Sequence, residues 1–360
     1  MRRTMLLVAI VAGVALRAWI FAGLPRALSV CTTDFAAFYA GGKLAGSLEM
    51  YSPAAVFAAE ESAMGCHMEN LIFIRPPFYA LLMRPLAQLP FLAALWTWRA
   101  LGLAAIGIFL WLWPGDRLVA AAGCAWFLPL AANFTVGQDV ALVLALVIAA
   151  YRCFKSERPV WAGILLGLCA VKFHLFLLLP VLLWHWKLWR TALAAIAAVA
   201  GLAAISIAVY GPQCFARYLA ALGDARLNPY PHNMVNLNGL FHYHAVWLVA
   251  AAVVVAVCCL AIVRGSLELG LAAMLAGGVL IAPHTTVSDG VLFLPLLLIA
   301  CEQPLMRVLA VAALAPLFAF LPSGLLQITV AMLIGWMAWQ AKQGAEAVAI
   351  PQHEGSPPGV

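Results

Sequence analysis

Residues 162–184 read AGILLGLCAVKFHLFLLLPVLLW, an apolar run whose single fixed cation is Lys172. With its flanks the run is about thirty residues long, well past the ~20 that one spanning helix needs. A lysine at the centre of a membrane helix costs ~2.5 to 3.5 kcal/mol on insertion scales. The stretch is therefore expected to break near Lys172 and His174 and to cross a membrane twice, with those two residues at the turn.

The same pattern extends outward in both directions. Apolar stretches follow one another almost continuously from Met5 to Trp339; hydrophobic residues make up 66% of the chain, charged residues 9%, and mean hydropathy is +1.01. Soluble domains carry about 25% charged residues, so water is not the main solvent of this chain. The expected fold class is an all-α polytopic membrane protein. The formal charge of +6 comes from dispersed Lys and Arg at the ends of apolar runs, which signals topology rather than a nucleic-acid surface. Among the nine cysteines there is no CxxC pair, and Cys124, Cys169, Cys258 and Cys259 sit inside apolar runs as small hydrophobes. Neither a metal nor a cofactor is expected.

Short basic clusters mark the cytoplasmic turns: Arg2-Arg3, Arg152 with Lys155 and Arg158, and Lys187 with Arg190. The run from Met5 to about Leu24 reads as an uncleaved signal anchor that starts inside. Counting back from Arg152 places Gly137-Gln138-Asp139 outside and Gly115-Asp116-Arg117 inside. One crossing, from about Phe91 to Trp113, then suffices between Pro25 and Gly115. Residues 25–90 form an outer loop of roughly 65 residues, too long to lack structure of its own. Ser52-Pro53 and Pro76-Pro77 are helix-start signals within it, and helices lying along the membrane surface are expected there. Cys31 and Cys66 share this loop, so a disulfide between them is the pairing to test. The rest alternates to give about twelve crossings, a second outer loop at 211–244, a single membrane domain over 1–341 and a disordered cytoplasmic tail at 342–360. Both termini lie inside, in a multi-pass protein of the cell (inner) membrane.

Polar residues gather on the outer side. Lys172 has two readings there: a lysine snorkelling to the headgroups, or with His174 a phosphate ligand. Asp34 either caps the helix that begins at Phe35 or acts as a base held against the bilayer, where Phe35, Phe38 and Tyr39 form an aromatic face. Arg75, held extended by Pro76, either is aimed at Asp34 or at a phosphate or is an ordinary interfacial arginine. Gln138 and Asp139 read either as an N-cap or as part of the same site. The second loop, NPYPHNMVNLNGLFHYH, is rich in neutral hydrogen-bonding groups suited to sugar hydroxyls, His232 and Asn236 among them. His284 belongs to the same outer set. The histidine spacing lacks the acidic company of a metal site.

Four stretches in order carry a resemblance: DFAAFYAGGKLAGSLEMYSP from Asp34, RPPFYALLMRPLAQLP from Arg75, GQDVALVLALVIAA from Gly137 and WAGILLGLCAVKFHLFLLLPVLL from Trp161. Together they resemble glycosyltransferase family 87, multi-spanning enzymes of the GT-C type that include polyprenol-phosphate-mannose-dependent α-mannosyltransferases. The chain departs from the family at four places: Arg75 stands where Tyr usually precedes Pro-Pro, Asp139 where Asn often follows Gly-Gln, Met50-Tyr51-Ser52-Pro53 replaces Leu-Tyr-Asp-Pro, and Phe173 stands where Pro commonly follows the lysine.

The resemblance implies a GT-C-like helical bundle and an inverting transfer of a hexose, mannose first among them, from a polyprenyl-phosphate sugar to a lipid or glycan acceptor on the periplasmic or exterior face. Asp34 would be the general base, and Lys172, His174 and Arg75 would stabilise the departing phosphate. The donor, the acceptor and membrane lipids are the expected partners, with no nucleic acid. The competing class is a transporter or flippase of a lipid-linked sugar. Charges collected at one face, without a visible inverted repeat, favour the enzyme.

Overall fold

A computed structural model of the protein describes residues 2–24, 30–31, 33–66, 71–224, 234–241, 244–315 and 324–349, with side chains described as far as residue 341. Every regular element among them is helical. The chain opens with α1 (Arg2–Gly23). The outer-loop segment then folds into α2 (Phe35–Lys43), a 3-10 turn at Leu48–Tyr51, α3 (Pro53–Met64) and α4 (Pro77–Ala87). Next come α5 (Phe91–Leu112), α6 (Arg117–Trp126), α7 (Leu128–Val136) and α8 (Val140–Lys155). After α9 (Pro159–Leu168) and a 3-10 segment at Cys169–Leu175 follow α10 (Leu179–His185), α11 (Trp189–Tyr210) and α12 (Gln213–Leu222). A short turn at Leu237–Leu240 leads to α13 (His244–Arg264) and α14 (Leu267–Ile281). A 3-10 segment at Val287–Phe293, α15 (Leu294–Glu302), α16 (Arg307–Leu314) and α17 (Leu325–Ala349) complete the order.

Four of these helices, α1, α5, α11 and α13, are long and apolar enough to cross a membrane, and α6 with α7 makes a fifth span if the pair, bent by 62°, counts as one. Each of the roughly twelve expected crossings has a helix in its place. Several, such as α10 and α16, are too short to span by themselves, so a count of twelve does not follow from length and composition. At the far end α17 continues as helix to Ala349, into the segment expected to be a disordered tail; residues 350–360 lie outside the described residues.

Helices opened by Pro53 and by Pro77 form as the sequence predicts, each with proline in its first turn where no intrahelical donor is needed. The helix α2 departs from the expectation of helices lying along the surface, whereas α3 keeps most of its residues exposed or half-buried. Every residue of α2 from Phe35 to Gly42 is buried. Its aromatic side chains face protein: Phe35 packs on Phe91 and Trp98, Phe38 on Tyr79. Gly42 permits this, because a Cβ there would sit 2.8 Å from the Met83 carbonyl oxygen of α4. A disulfide joins Cys31 to Cys66 and ties the entry of α2 to the exit of α3.

The main core surrounds α14, which is buried on all sides from Gly270 to Ile281, and it takes in Val291–Leu294 and α15. A second core is built from α2, α4 and the first turns of α5. The candidate site lies where these two cores meet.

Candidate active site

The break expected in the 162–184 run falls at Lys172 itself, which has φ −132° and ψ 47° inside the 3-10 segment. Breaking the helix there directs the ammonium into protein. Lys172 is 2% exposed, so it does not snorkel. Its Nζ donates to Asp289 Oδ1 at 2.6 Å and lies 3.5 Å from Asp139 Oδ1. Asp289 is itself fixed, its Oδ2 accepting from the Thr286 backbone N–H at 2.7 Å and the Thr286 hydroxyl at 3.2 Å.

Arg75 completes the network from the other core. Its Nε and one terminal nitrogen each donate to Asp139 at 3.1 Å, the bidentate geometry that suits guanidinium and carboxylate best. The same nitrogen donates to Gln138 Oε1 at 3.0 Å, and the guanidinium carbon stands 4.8 Å from the Phe38 ring centre. Gln138 passes the connection on, its Nε2 donating to Asp34 Oδ2 at 2.7 Å. Arg75 therefore reaches Asp34 through Gln138, while its charge is spent on Asp139. Two of the residues at which the chain departs from the resemblance, Arg75 and Asp139, are each other's partners.

Backbone geometry keeps these carboxylates free for the network. Asp34 and Asp139 both occupy the N-cap positions of their helices, and neither side chain caps. The turn before Asp139 is held by Gly137, whose φ of +70° suits glycine and whose missing side chain makes room for Phe35. Trp98 Nε1 donates to the Gly137 carbonyl at 2.8 Å. Arg99 donates to the Phe134 and Thr135 carbonyls at 3.1 and 2.7 Å, satisfying the C-terminal end of α7.

The three carboxyl groups are not equivalent. Burial acts to raise Asp139, but the Arg75 and Lys172 charges outweigh it and hold its pKa below the ordinary range. Asp289 is likewise brought down to about 2, Lys172 overcoming the cost of burial. Asp34 goes the other way. Loss of water around it raises its pKa, and the opposing Gln138 hydrogen bond and the more distant Lys172 and Arg75 charges do not cancel that. It is also half-buried where Asp139 and Asp289 are sealed.

His174 and His284 are half-buried and close enough to feel the charges of Asp289, Lys172 and Arg75. Burial lowers the His284 pKa to about 4, leaving its ring neutral. Asn236 is not brought into the network: its oxygen accepts from the Gly239 N–H and its nitrogen donates to the Ala282 carbonyl, so it anchors the second loop immediately before Pro283-His284. His232 lies outside the described residues. Asp289 was missing from the sequence-based site; its signal was an acid in an outer turn, PHTTVSDG, with no basic neighbour.

The model of Glycosyltransferase family 87 matches residues 73–295, and the chain belongs to that family. The match takes in Arg75, Gln138, Asp139, Lys172, His174, Asn236, His284 and Asp289 and begins after Asp34. No curated protein and no solved structure matches the chain.

Proposed function

We propose that this membrane glycosyltransferase moves a hexose, mannose the first candidate, from a polyprenyl-phosphate sugar to a lipid or glycan hydroxyl on the extracytoplasmic face, with inversion and with Asp34 as base. The acceptor oxygen forms its bond to C1 as the bond from C1 to the phosphate oxygen breaks. The electron pair leaves on the polyprenyl phosphate, and the hydroxyl proton passes to Asp34.

The observation that carries this reading is the contrast among the carboxyl groups. Asp139 and Asp289 are committed to cations, whereas Asp34 has a neutral partner, is reachable and has a raised pKa. A base works best with a pKa near the working pH, so that direction favours the role. Arg75 and Lys172 enter the reaction already ion-paired and supply a fixed field. The phosphate would be touched by His174 and His284 at the network's accessible edge, with Gln138 orienting Asp34.

The test is Asp34→Asn in purified protein supplied with a panel of radiolabelled polyprenyl-phosphate sugars and lipid acceptors. Transfer should fall by about 10²–10⁴-fold, the usual worth of a positioned base, with thermal unfolding unchanged. In the native protein the acidic limb of kcat/KM should lie above the ordinary carboxylate range. Full activity in the asparagine variant would remove Asp34 as the base.

A further inference from the structure

A cavity of about 310 Å³ lies at the end of the bundle opposite to Asp34. One wall is a single stripe of α8, Leu144, Val147, Ile148 and Tyr151 at helical spacing, and α14 faces it with Ala272 and Leu275. Phe109 and Ile299 contribute from α5 and α15. These walls are apolar and almost wholly buried. The mouth is different: Pro114, Ser266 and Glu302 are exposed and Glu268 half-buried, so the polar opening of the cavity lies at the helix ends.

The charge at that mouth runs against its surroundings. The turns at this end carry Arg117, Arg152, Lys155, Arg158, Arg264 and Arg307. Yet the mouth presents two carboxylates, Glu268 and Glu302. Glu268 accepts from the Tyr151 hydroxyl and lies 3.4 Å from Lys155 Nζ. Glu302 stands against the Gly115 turn, where a Cβ would come within 2.6 Å of its Oε1. An apolar shaft beneath two acids, one of them beside Lys155, is complementary to a zwitterion that can share that ion pair: an ammonium for the carboxylates, a phosphate for Lys155, an alkyl chain for the shaft.

We propose that this cavity is a binding site for an aminophospholipid of the phosphatidylethanolamine class, one acyl chain running inward along α8 and its headgroup between Glu268, Glu302 and Lys155. A lipid in the adjacent leaflet already has that orientation, head at the boundary and chain toward the midplane, so it enters without turning over. The site shares no residue with the Asp34 network and stands or falls apart from it.

The full chain, stripped of lipid in detergent and mixed with equal amounts of phosphatidylethanolamine and phosphatidylglycerol, should retain the former by about tenfold in native mass spectrometry, a difference of ~1.4 kcal/mol. Ala272→Phe, which fills the shaft, should abolish retention of both lipids. Glu302→Gln at the exposed mouth and Glu268→Gln, which keeps an acceptor for Tyr151, should preserve the fold and remove the headgroup preference. Equal retention of the two lipids by the native chain would overturn the proposal, as would a preference that survives both glutamine variants. Retention unchanged in a folded Ala272→Phe protein would place the lipid elsewhere and overturn it too.

Discussion

Arg75 and Asp139 are individually expensive. A guanidinium and a carboxylate, 5% and 2% exposed, each forfeit several kcal/mol of hydration that their mutual attraction must return. They persist because the geometry is bidentate and because Gln138 and Lys172 make further polar contacts with the pair. Tyr and Asn, the residues usual in the family's motifs, would fill the same places without charge. This pairing makes a quantitative prediction. Arg75→Tyr and Asp139→Asn should each destabilise the protein by about 3–5 kcal/mol, because each strands a buried charge, while the double substitution should cost far less than the sum. Thermal and denaturant unfolding of the four proteins measures the coupling, and strict additivity would show that the two charges act independently.

At the level of elements, the site is a junction of turns. Asp34 enters from the start of α2, Arg75 from the start of α4, Gln138 and Asp139 from the α7–α8 turn, Lys172 from a broken helix and Asp289 from a 3-10 segment. What aligns the α7–α8 turn is α5, through Trp98 on Gly137 and Arg99 on the last carbonyls of α7. Trp98→Phe keeps the ring and leaves the Gly137 carbonyl without its donor. It should cost about 1–3 kcal/mol of stability and lower kcat more than it raises KM, since the turn orients Gln138 against Asp34. Steady-state kinetics beside thermal unfolding checks this; an unchanged kcat would confine Trp98 to packing. The same junction explains what could be read in advance. The break at Lys172 was legible because a cation interrupts a run too long for one helix. Its partner was not, since Asp289 is 117 residues away and only packing brings them together. The burial of α2 was hidden for a similar reason: an aromatic stripe looks the same facing lipid or facing Phe91, Trp98 and Tyr79.

Among the described residues the basic short turns gather at one end of the bundle. Arg2 meets Asp116, Lys155 meets Glu268, and the Thr191 hydroxyl bonds Pro159 beside Arg158, so the turns holding Arg117, Arg152, Arg190 and Arg264 share one end of the bundle. Asp34, Arg75, Asp139, Lys172 and Asp289 share the other, and α8 separates the two by about 24 Å at 1.5 Å per residue. Basic residues in short turns orient membrane proteins toward the cytoplasm, whereas acidic residues contribute little to that choice. The Asp34 end should therefore face outward. The disulfide between Cys31 and Cys66 on that side agrees with an oxidising compartment. Reporters inserted after Gly65 and after Glu157 decide the matter: an outside signal at the first and an inside signal at the second are expected. The reverse pattern would put the network in the cytoplasm. A polyprenyl-phosphate donor presented on the outer leaflet could not then reach Asp34, and a water-soluble nucleotide sugar would become the substrate class to test.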